Sequence, residues 1–277
     1  MKGSDVDRAR IATLADRLID AYDHAYTLDP IAAGDPAFDV AAAYAVLHAI
    51  HARRAARGWQ AVGRKIGFTN RTIWNQYGVD RPIWAHIYSH TVHRAPDGHA
   101  RLGVSGFVQP RIEPEVVFGL RGPVPAAGQA RAVLEAVDWI APGFEVVQSH
   151  FPEWKFQVAD CIAACGLHGA LVVGPVSRLD ERGRDRLAEA LPGFALTMYR
   201  GAEIVDRGRG SHALGSPALA LQHLAGVLAN QPEAPALNAG EIVTTGTLTD
   251  AWPIVPGTRW RSDYGTLDLP GIELEIE

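Results

Sequence analysis

The spacing of apolar residues divides the chain into two parts near residue 60. Before that point, apolar side chains recur at helical intervals, from Ile11 to Tyr22 and again over Val40–Ala56. Beyond it, short apolar runs alternate with Gly, Pro and Asp, a pattern typical of strands joined by turns. The pattern predicts an α+β protein, with an N-terminal helical region over residues 1–60 and a larger, strand-rich domain over residues 61–277.

Local signals predict where several elements begin and end. Ser4 to Asp7 has the form of a capping box for the first helix, and Asp39 is a suitable N-cap for the second. Further along, three segments are predicted as helices and the alternating C-terminus as a half-buried strand. These elements are Ala130–Trp139, Arg184–Leu191, a helix that follows Ser216-Pro217 and runs to Asn230, and a strand containing Ile272, Leu274 and Ile276.

Two glutamates in one predicted strand are the most informative polar residues of the chain. If Arg111–Leu120 is a strand, Glu113 and Glu115 project from the same face, while Ile112 and Val116 point the other way toward a core. Neighbouring carboxylates repel each other, and a bound divalent cation removes that repulsion. The alternative is a solvated pair of glutamates on an exposed strand face.

A third carboxylate lies in a second apolar run. Glu145 is part of Pro142–Val147, which also reads as a strand, and it would complete an all-oxygen set. Such a set suits Mg²⁺ or Mn²⁺ rather than zinc. The two cysteines, Cys161 and Cys165, cannot close a structural zinc site alone and are more simply explained as small buried residues.

The bulk properties restrict the possible partners. A net charge of −5 with both signs interspersed provides no basic stripe for nucleic acid. The sequence contains no apolar run near the ~20 residues of a membrane span, and its first residues lack the apolar core of a signal peptide. These properties agree with a cytoplasmic enzyme.

Five short motifs in the strand-rich part occur in a recognisable order. They are Gly63–Thr69, Gln76–Pro82, Arg111–Glu115, Gly143–Ser149 and Asn238–Thr247. Together they resemble the 2-keto-4-pentenoate hydratase / 4-oxalocrotonate decarboxylase family, which belongs to the fumarylacetoacetate hydrolase superfamily. The resemblance covers roughly residues 60–277 and implies that superfamily's mixed β-sheet roll, often assembled as a homo-oligomer.

The resemblance also implies roles for individual residues. Glu113, Glu115 and Glu145 fall in the two metal-binding motifs, so that a 2-keto acid would chelate the bound cation. Lys65 is expected to contact the substrate and to stabilise negative charge as it develops. In the last motif, the Gly246 backbone and Thr247 are expected to bind the substrate carboxylate.

The chain departs from the family after the second metal motif. The usual Asp-Asn pair is reduced to Asp160, and His150 occupies a position where Arg is common. With His168, these residues form the ionisable candidates for proton transfer. We expect at least one of the two histidines to point into the metal cavity. The alternative is that both only brace the segment around Glu145.

Several reactions remain open at this level. Hydration of a 2-keto-4-pentenoate-like compound is the first expectation, and decarboxylation of a vinylogous 2-keto acid needs the same enolate stabilisation. C–C hydrolysis is a weaker alternative because the Pro-Ile-Gly-Pro motif of the superfamily's hydrolases is absent from the sequence. A protein that binds a keto acid without turnover is the remaining alternative, since the altered Asp-Asn segment would permit it.

Overall fold

A computed structural model describes residues 2–77 and 79–277; Gly78, which belongs to the second motif, lies outside the described residues. Three helices precede the first strand, and the others are distributed between strands. In chain order the helices are α1 (Lys2–His24), α2 (Ile31–Gly34), α3 (Val40–Ala56), α4 (Trp74–Tyr77), α5 (Ala130–Leu134), α6 (Val158–Ala163), α7 (Glu181–Ala190) and α8 (Pro217–Ala229).

The predicted helix starts are confirmed where a cap supplies the missing backbone partner. The Asp39 carboxylate accepts from the Ala42 amide at the start of α3, and the Ser216 hydroxyl accepts from the Ala218 amide at the start of α8. The predicted capping box at Ser4 is wrong, because α1 already begins at Lys2 and includes Ser4.

The strands form two mixed sheets. In chain order they are β1 (Ala61–Gly67), β2 (Ile83–Tyr88), β3 (Val92–Arg94), β4 (His99–Leu102), β5 (Arg111–Leu120), β6 (Val137–Val147), β7 (His168–Val173), β8 (Ser177–Arg178), β9 (Ala195–Arg200), β10 (Glu203–Arg209), β11 (Ile242–Thr244), β12 (Trp252–Pro253), β13 (Arg259–Asp263) and β14 (Glu273–Ile276).

Within the described residues the larger sheet has the order β2-β1-β11-β5-β6-β7-β3, with β12 added to β5 and β8 added to β6. The smaller sheet has the order β10-β9-β13-β14-β4. Most neighbours are antiparallel, but β1 pairs with β11, β3 with β7 and β4 with β14 in parallel. The C-terminal strand is confirmed, with Leu274 and Ile276 buried.

The long antiparallel pair β5–β6 is the frame on which the polar residues are arranged. Its register places Glu113 opposite Glu145 and Glu115 opposite Gly143. Odd-numbered residues of both strands share one face. Further along that face, Val117 and Ala141 belong to a small, dry apolar cluster with residues of β2, β7 and β11. The carboxylates therefore lie next to an apolar cluster on the same face of the larger sheet.

The predicted helix Ala130–Trp139 is wrong in its second half. Helix α5 ends at Leu134, and Val137 begins β6, which pairs with β5 as far as Leu120. The eleven-residue β6 is buried along most of its length and pairs with β5, β7 and β8, and this tertiary pairing overrides the local helical pattern. The weaker prediction Arg184–Leu191 is confirmed as helix α7, although the Asp180 cap starts it earlier, at Glu181.

One hydrophobic core connects the N-terminal helices to the strand-rich part. Leu18 in α1 and Leu47 and Ile50 in α3 belong to the same buried cluster as Ile162 in α6 and Phe144 in β6. Helix α3 packs mainly on α1 and α6. None of the described helices has the combination of length and apolar character needed to span a membrane.

The two sheets are joined by a buried tyrosine. Tyr264 directly follows β13, and its hydroxyl donates to the backbone carbonyl of Glu115 at 2.6 Å. The same oxygen accepts from the Gly143 amide at 3.2 Å. A residue of the smaller sheet thus holds β5 and β6 together at the level of the acidic residues.

Candidate metal centre and cavity

Three carboxylates converge in the larger sheet. Glu113, Glu115 and Glu145 each place an oxygen within 4.8 Å of the others. Glu115 and Glu145 are fully buried and Glu113 is half-buried. The alternative of a solvated pair on an exposed face is therefore excluded by the structure.

Glu145 is held at both carboxylate oxygens. Lys65 Nζ, at the end of β1, donates to Oε2 at 2.8 Å. His168 Nδ1, at the start of β7, lies 2.7 Å from Oε1, and its Nε2 lies 2.9 Å from the Thr91 hydroxyl. A proton on Nδ1 lets His168 donate to Glu145. The Thr91 hydroxyl also lies 2.9 Å from the Tyr88 carbonyl and has a single hydrogen, so it can donate either to that carbonyl or to His168 Nε2.

Glu115 is supported on one side only. Its Oε2 accepts from the Gly246 amide at 2.8 Å, whereas Oε1 has no hydrogen-bond partner within the described residues. Gly246 has a φ of +88°, and a Cβ built on it would lie 1.8 Å from the Thr69 hydroxyl oxygen. Only glycine therefore brings this amide to Glu115.

Burial and mutual repulsion set the protonation of the acidic cluster. Burial raises the pKa of Glu113 to about 7 against the attraction of Lys65, and burial and the other two carboxylates raise the pKa of Glu115 well above its usual range. Burial also acts on Glu145, but Lys65 and His168 outweigh it and hold its pKa at about 2. Burial lowers the pKa of His168, in keeping with a neutral ring.

The cluster fits a divalent cation. One buried ammonium, Lys65, faces three carboxylates, so the set carries excess negative charge once all three are ionised. Although burial alone would lower the pKa of Lys65, the three carboxylates together raise it, so it remains a cation. A hard cation would balance the charge and occupy the partnerless oxygen of Glu115.

A cavity of about 290 Å³ opens onto the cluster. Lys65, Glu113, Glu115, Gly246 and Thr247 are all part of its wall. The predicted metal ligands and the predicted substrate contacts therefore meet in one place. Cys161 also lines the cavity, and burial raises the pKa of its thiol far above the usual range, so it is a neutral wall residue.

Two predicted substrate donors are used inside the protein. The Gly246 amide donates to Glu115, and the Thr247 hydroxyl donates to the Thr249 carbonyl at 2.8 Å. Since a hydroxyl has one hydrogen, Thr247 can offer the substrate only an acceptor in this arrangement. In this arrangement Gly246 supports Glu115 and Thr247 supports the loop that follows, and binding of a substrate carboxylate by either residue stays a prediction.

His150 and Asp160 do not line the cavity. His150 Nδ1 lies 3.0 Å from the Tyr26 carbonyl, and its ring packs beside Tyr22 of α1. The two oxygens of Asp160 accept from the Gln157 and Ala32 amides, which caps α6 and ties it to α2. Their geometry gives both residues a structural role, and of the two histidines only His168 contacts the acidic cluster.

The turn before His168 was not predicted from the sequence. Cys165, Gly166 and Leu167 all have left-handed backbone, with φ between 57° and 62°, and Gly166 and Leu167 form part of the cavity wall. Behind the turn, Arg54 Nη1 donates to Cys165 Sγ at 3.3 Å. The Arg54 guanidinium is itself buried among aromatic rings at 4.5–5.3 Å, those of Tyr22, Trp59 and Tyr88.

Arg111 is a second residue that the sequence reasoning missed. It lines the outer part of the cavity on the same strand face as Glu113 and Glu115. The signal was present in the sequence, because Arg111 has the same parity as the two glutamates in a strand that was correctly predicted.

The mixed-sheet fold, with a carboxylate cluster at a cavity, is the arrangement of a class of metal-dependent enzymes. The family model for the fumarylacetoacetate (FAA) hydrolase C-terminal domain matches residues 80–263, and the chain belongs to this family. The expected family and its mixed-sheet fold are thus confirmed.

Among characterised relatives, the chain is similar to a 2-hydroxyhexa-2,4-dienoate hydratase of Comamonas testosteroni, with 31% identity over 92% of this chain and 93% of the relative. It is also similar to a 4-oxalocrotonate decarboxylase of Pseudomonas sp. (strain CF600), with 29% identity over 93% and 94% of the two chains. The solved 4-oxalocrotonate decarboxylase from Pseudomonas putida G7, complexed with magnesium and adipate, superposes with a TM-score of 0.87 at 25% identity, covering 98% of each chain.

Proposed function

We propose that this protein is a divalent-metal-dependent lyase that hydrates a small 2-keto or 2-hydroxydienoic acid. The observation that carries the proposal is the cluster of Glu113, Glu115 and Glu145, two of which line a cavity, with Lys65 hydrogen-bonded to Glu145. Mg²⁺ is the preferred cofactor and Mn²⁺ the alternative, because both favour oxygen ligands. A bound cation supplies Lewis acidity for a chelating 2-keto acid.

The protein's own groups prepare the site for negative charge. Lys65 is 3% exposed and its raised pKa keeps it cationic, so it can stabilise an enolate oxygen without reorganisation of water. His168 donates to Glu145 and fixes the orientation of that carboxylate from the side opposite Lys65. The apolar wall excludes bulk water from the reacting atoms.

Decarboxylation of a vinylogous 2-keto acid is the second candidate, and the composition of the cavity wall favours it. Apart from the metal carboxylates, the titratable groups on the described wall are Lys65, Arg111, Cys161 and Asp250. Lys65 is a cation and Cys161 a neutral thiol, so neither is suited to deprotonate water. Decarboxylation needs charge stabilisation, which Lys65 provides, and a proton for the product, but no base to activate water.

The test compares both reactions on the same preparation. Turnover of 2-hydroxypenta-2,4-dienoate and of 4-oxalocrotonate is followed by loss of ultraviolet absorbance, with Mg²⁺, with excess chelator and after Mg²⁺ is restored. We expect turnover of at least one compound, lost with chelator and recovered with metal. Full activity in excess chelator would contradict the proposal, and metal-dependent binding without turnover would favour a keto-acid-binding protein.

Lys65 provides the residue-level test of the same proposal. Lys65→Ala should lower turnover by ~10²–10³-fold, the usual loss for one preorganised electrostatic donor, while Mg²⁺ still binds. Lys155→Ala is the matched control, since Lys155 is an exposed lysine paired with Glu153. Wild-type turnover in Lys65→Ala would remove this residue from the proposed active site.

Cytoplasmic location and a homo-oligomeric assembly are proposed with the function, and light scattering tests the assembly.

A further inference from the structure

Arg111 marks the outer end of a cavity that deepens along β5. It precedes Glu113 by two residues and Glu115 by four, which corresponds to ~6.6 Å and ~13 Å along a strand. Burial increases in the same direction, from the half-buried Arg111 and Glu113 to the fully buried Glu115. A molecule whose head reaches the acidic cluster therefore has its far end near Arg111.

The orientation of Arg111 is fixed by an aromatic platform. Its guanidinium carbon lies 4.1 Å from the centre of the Trp154 ring, and Trp154 also lines the cavity. The indole N–H donates to the Gln109 carbonyl at 3.0 Å. The Gln109 side chain in turn makes three hydrogen bonds to the backbone of residues 149–153. Stacking on a ring that is itself anchored limits the directions in which the guanidinium can donate.

The platform is built from unfavourable backbone conformations. Gln109, Glu153 and Trp154 have φ values of 49°, 56° and 59°, in the left-handed region that residues with a side chain rarely adopt. Such conformations persist where the surroundings impose them, and they concentrate at binding sites. Three such residues lie in the two segments that hold Trp154 against Arg111, so the position of the platform is imposed by the surrounding structure.

Most of the remaining cavity wall is apolar. It includes Phe68, Ile83, Val147, Phe156 and Leu167. A flat, conjugated carbon chain fits such a wall, because it exposes no hydrogen-bonding groups between its ends. An apolar wall with the acidic cluster and Arg111 as separate polar sites suits a molecule with an acidic group at each end.

We propose that Arg111 binds a carboxylate at the far end of the substrate, so that the preferred substrates are 2-keto or 2-hydroxydienoic diacids rather than monoacids. The inference rests on the proposed function for the other end of the molecule, where the 2-keto acid group meets the acidic cluster. A guanidinium offers two parallel donors that match a carboxylate. Asp250 also lines the cavity, but it is exposed and its charge is screened by water.

The test measures binding rather than turnover. Calorimetry on the Mg²⁺-loaded protein compares 2-oxoadipate with 2-oxohexanoate, which share the chelating end and the chain length but differ in the tail. We expect the wild-type protein to bind 2-oxoadipate more tightly by about 10- to 100-fold, the range of one charge-assisted contact. Arg111→Met, which keeps a flexible side chain on Trp154, should remove this difference and leave 2-oxohexanoate within about 3-fold of wild type.

The remaining variants separate a failure of this inference from a failure of the proposed function. Arg111→Lys should retain part of the preference, because it keeps the charge but loses the planar fork. Arg178→Met, at an exposed arginine, should change neither affinity. Equal affinity of the two acids for the wild-type protein, or equal losses in Arg111→Met, would overturn the inference. Failure of both acids to bind in a Mg²⁺-dependent way would instead contradict the proposed function.

Discussion

At the residue scale, facing carboxylates have opposite protonation behaviour. Glu113 and Glu145 are direct partners across β5 and β6, yet the pKa of Glu113 is raised to about 7 and that of Glu145 is lowered to about 2. The difference arises because Glu145 is hydrogen-bonded to both Lys65 and His168, while for Glu113 desolvation and repulsion by Glu145 outweigh the attraction of Lys65 and Arg111. Sequence spacing placed these carboxylates together, but their protonation depends on neighbours from distant parts of the chain.

The raised pKa of Glu113 predicts a pH-dependent stability of the metal-free protein. The folded state holds the proton more tightly than the unfolded chain, so this contribution to stability is complete below pH 4.5 and is lost as pH rises toward 7. The loss is on the order of 1–3 kcal/mol. Thermal unfolding in chelator should therefore show a lower melting temperature at pH 8 than at pH 5.5. Mg²⁺ should reduce this difference in melting temperature, and Glu113→Gln should reduce it without metal. An unchanged pH dependence of the melting temperature in Glu113→Gln would contradict the assignment of the effect to Glu113.

His168 is predicted to act on the metal through Glu145. His168→Leu removes the donor to Glu145 Oε1 and should weaken Mg²⁺ affinity by about 10- to 100-fold, as for other partners of metal ligands. His168→Asn, whose amide can take the place of Nδ1, should recover most of the affinity. His150→Leu is the control, because His150 contacts the Tyr26 carbonyl and not the cluster. Calorimetry with Mg²⁺ distinguishes the three, and equal affinities in all of them would refute the positioning role.

At the element scale, the sequence predicted what depends on local periodicity. The alternation in β5 placed both glutamates on one face, and the caps at Asp39 and Ser216 gave correct helix starts. The second half of Ala130–Trp139 failed because its conformation is decided by pairing with β5. The left-handed turn before His168 could not be predicted either, since it is imposed by packing against Arg54 and Lys65.

The loop at Gly246 offers an element-scale test with an internal control. Gly246→Ala forces a side chain against Thr69 and should destabilise the fold by more than ~2 kcal/mol, with weakened Mg²⁺ binding through Glu115. Gly257→Ala imposes a similar left-handed strain, at φ +83°, where nothing lies within 4 Å of the added carbon. It should cost ~1–2 kcal/mol and leave Mg²⁺ affinity unchanged. Urea unfolding measures the stability of the two variants, and calorimetry measures their Mg²⁺ affinity. Equal losses in Gly246→Ala and Gly257→Ala would mean that Gly246 supplies only conformational freedom.

At the scale of the whole molecule, the smaller sheet and the acidic cluster meet at one hydroxyl. Tyr264→Phe removes the oxygen that bonds the Glu115 carbonyl and the Gly143 amide, leaving buried backbone groups without that partner. We expect a loss of ~1–3 kcal/mol in unfolding free energy and weaker Mg²⁺ binding. Tyr26→Phe, which removes a hydroxyl bonded to Asp20 at the surface, should have little effect. Equal stability of the two variants in urea would show that the sheets do not depend on this contact.

The Tyr264 contact has a consequence for the exchange of ions with the surroundings. Tyr264, which follows β13 of the smaller sheet, bonds the backbone of β5, the strand that carries Glu113 and Glu115. Binding of an ion to the acidic cluster and docking of the smaller sheet are therefore linked in one thermodynamic cycle. Whatever strengthens docking must raise the affinity for the ion, and a bound ion must make opening of the smaller sheet less favourable, which reduces cleavage of the open form by a protease. Scarcity of the metal would then shorten the lifetime of the protein as well as lower its activity.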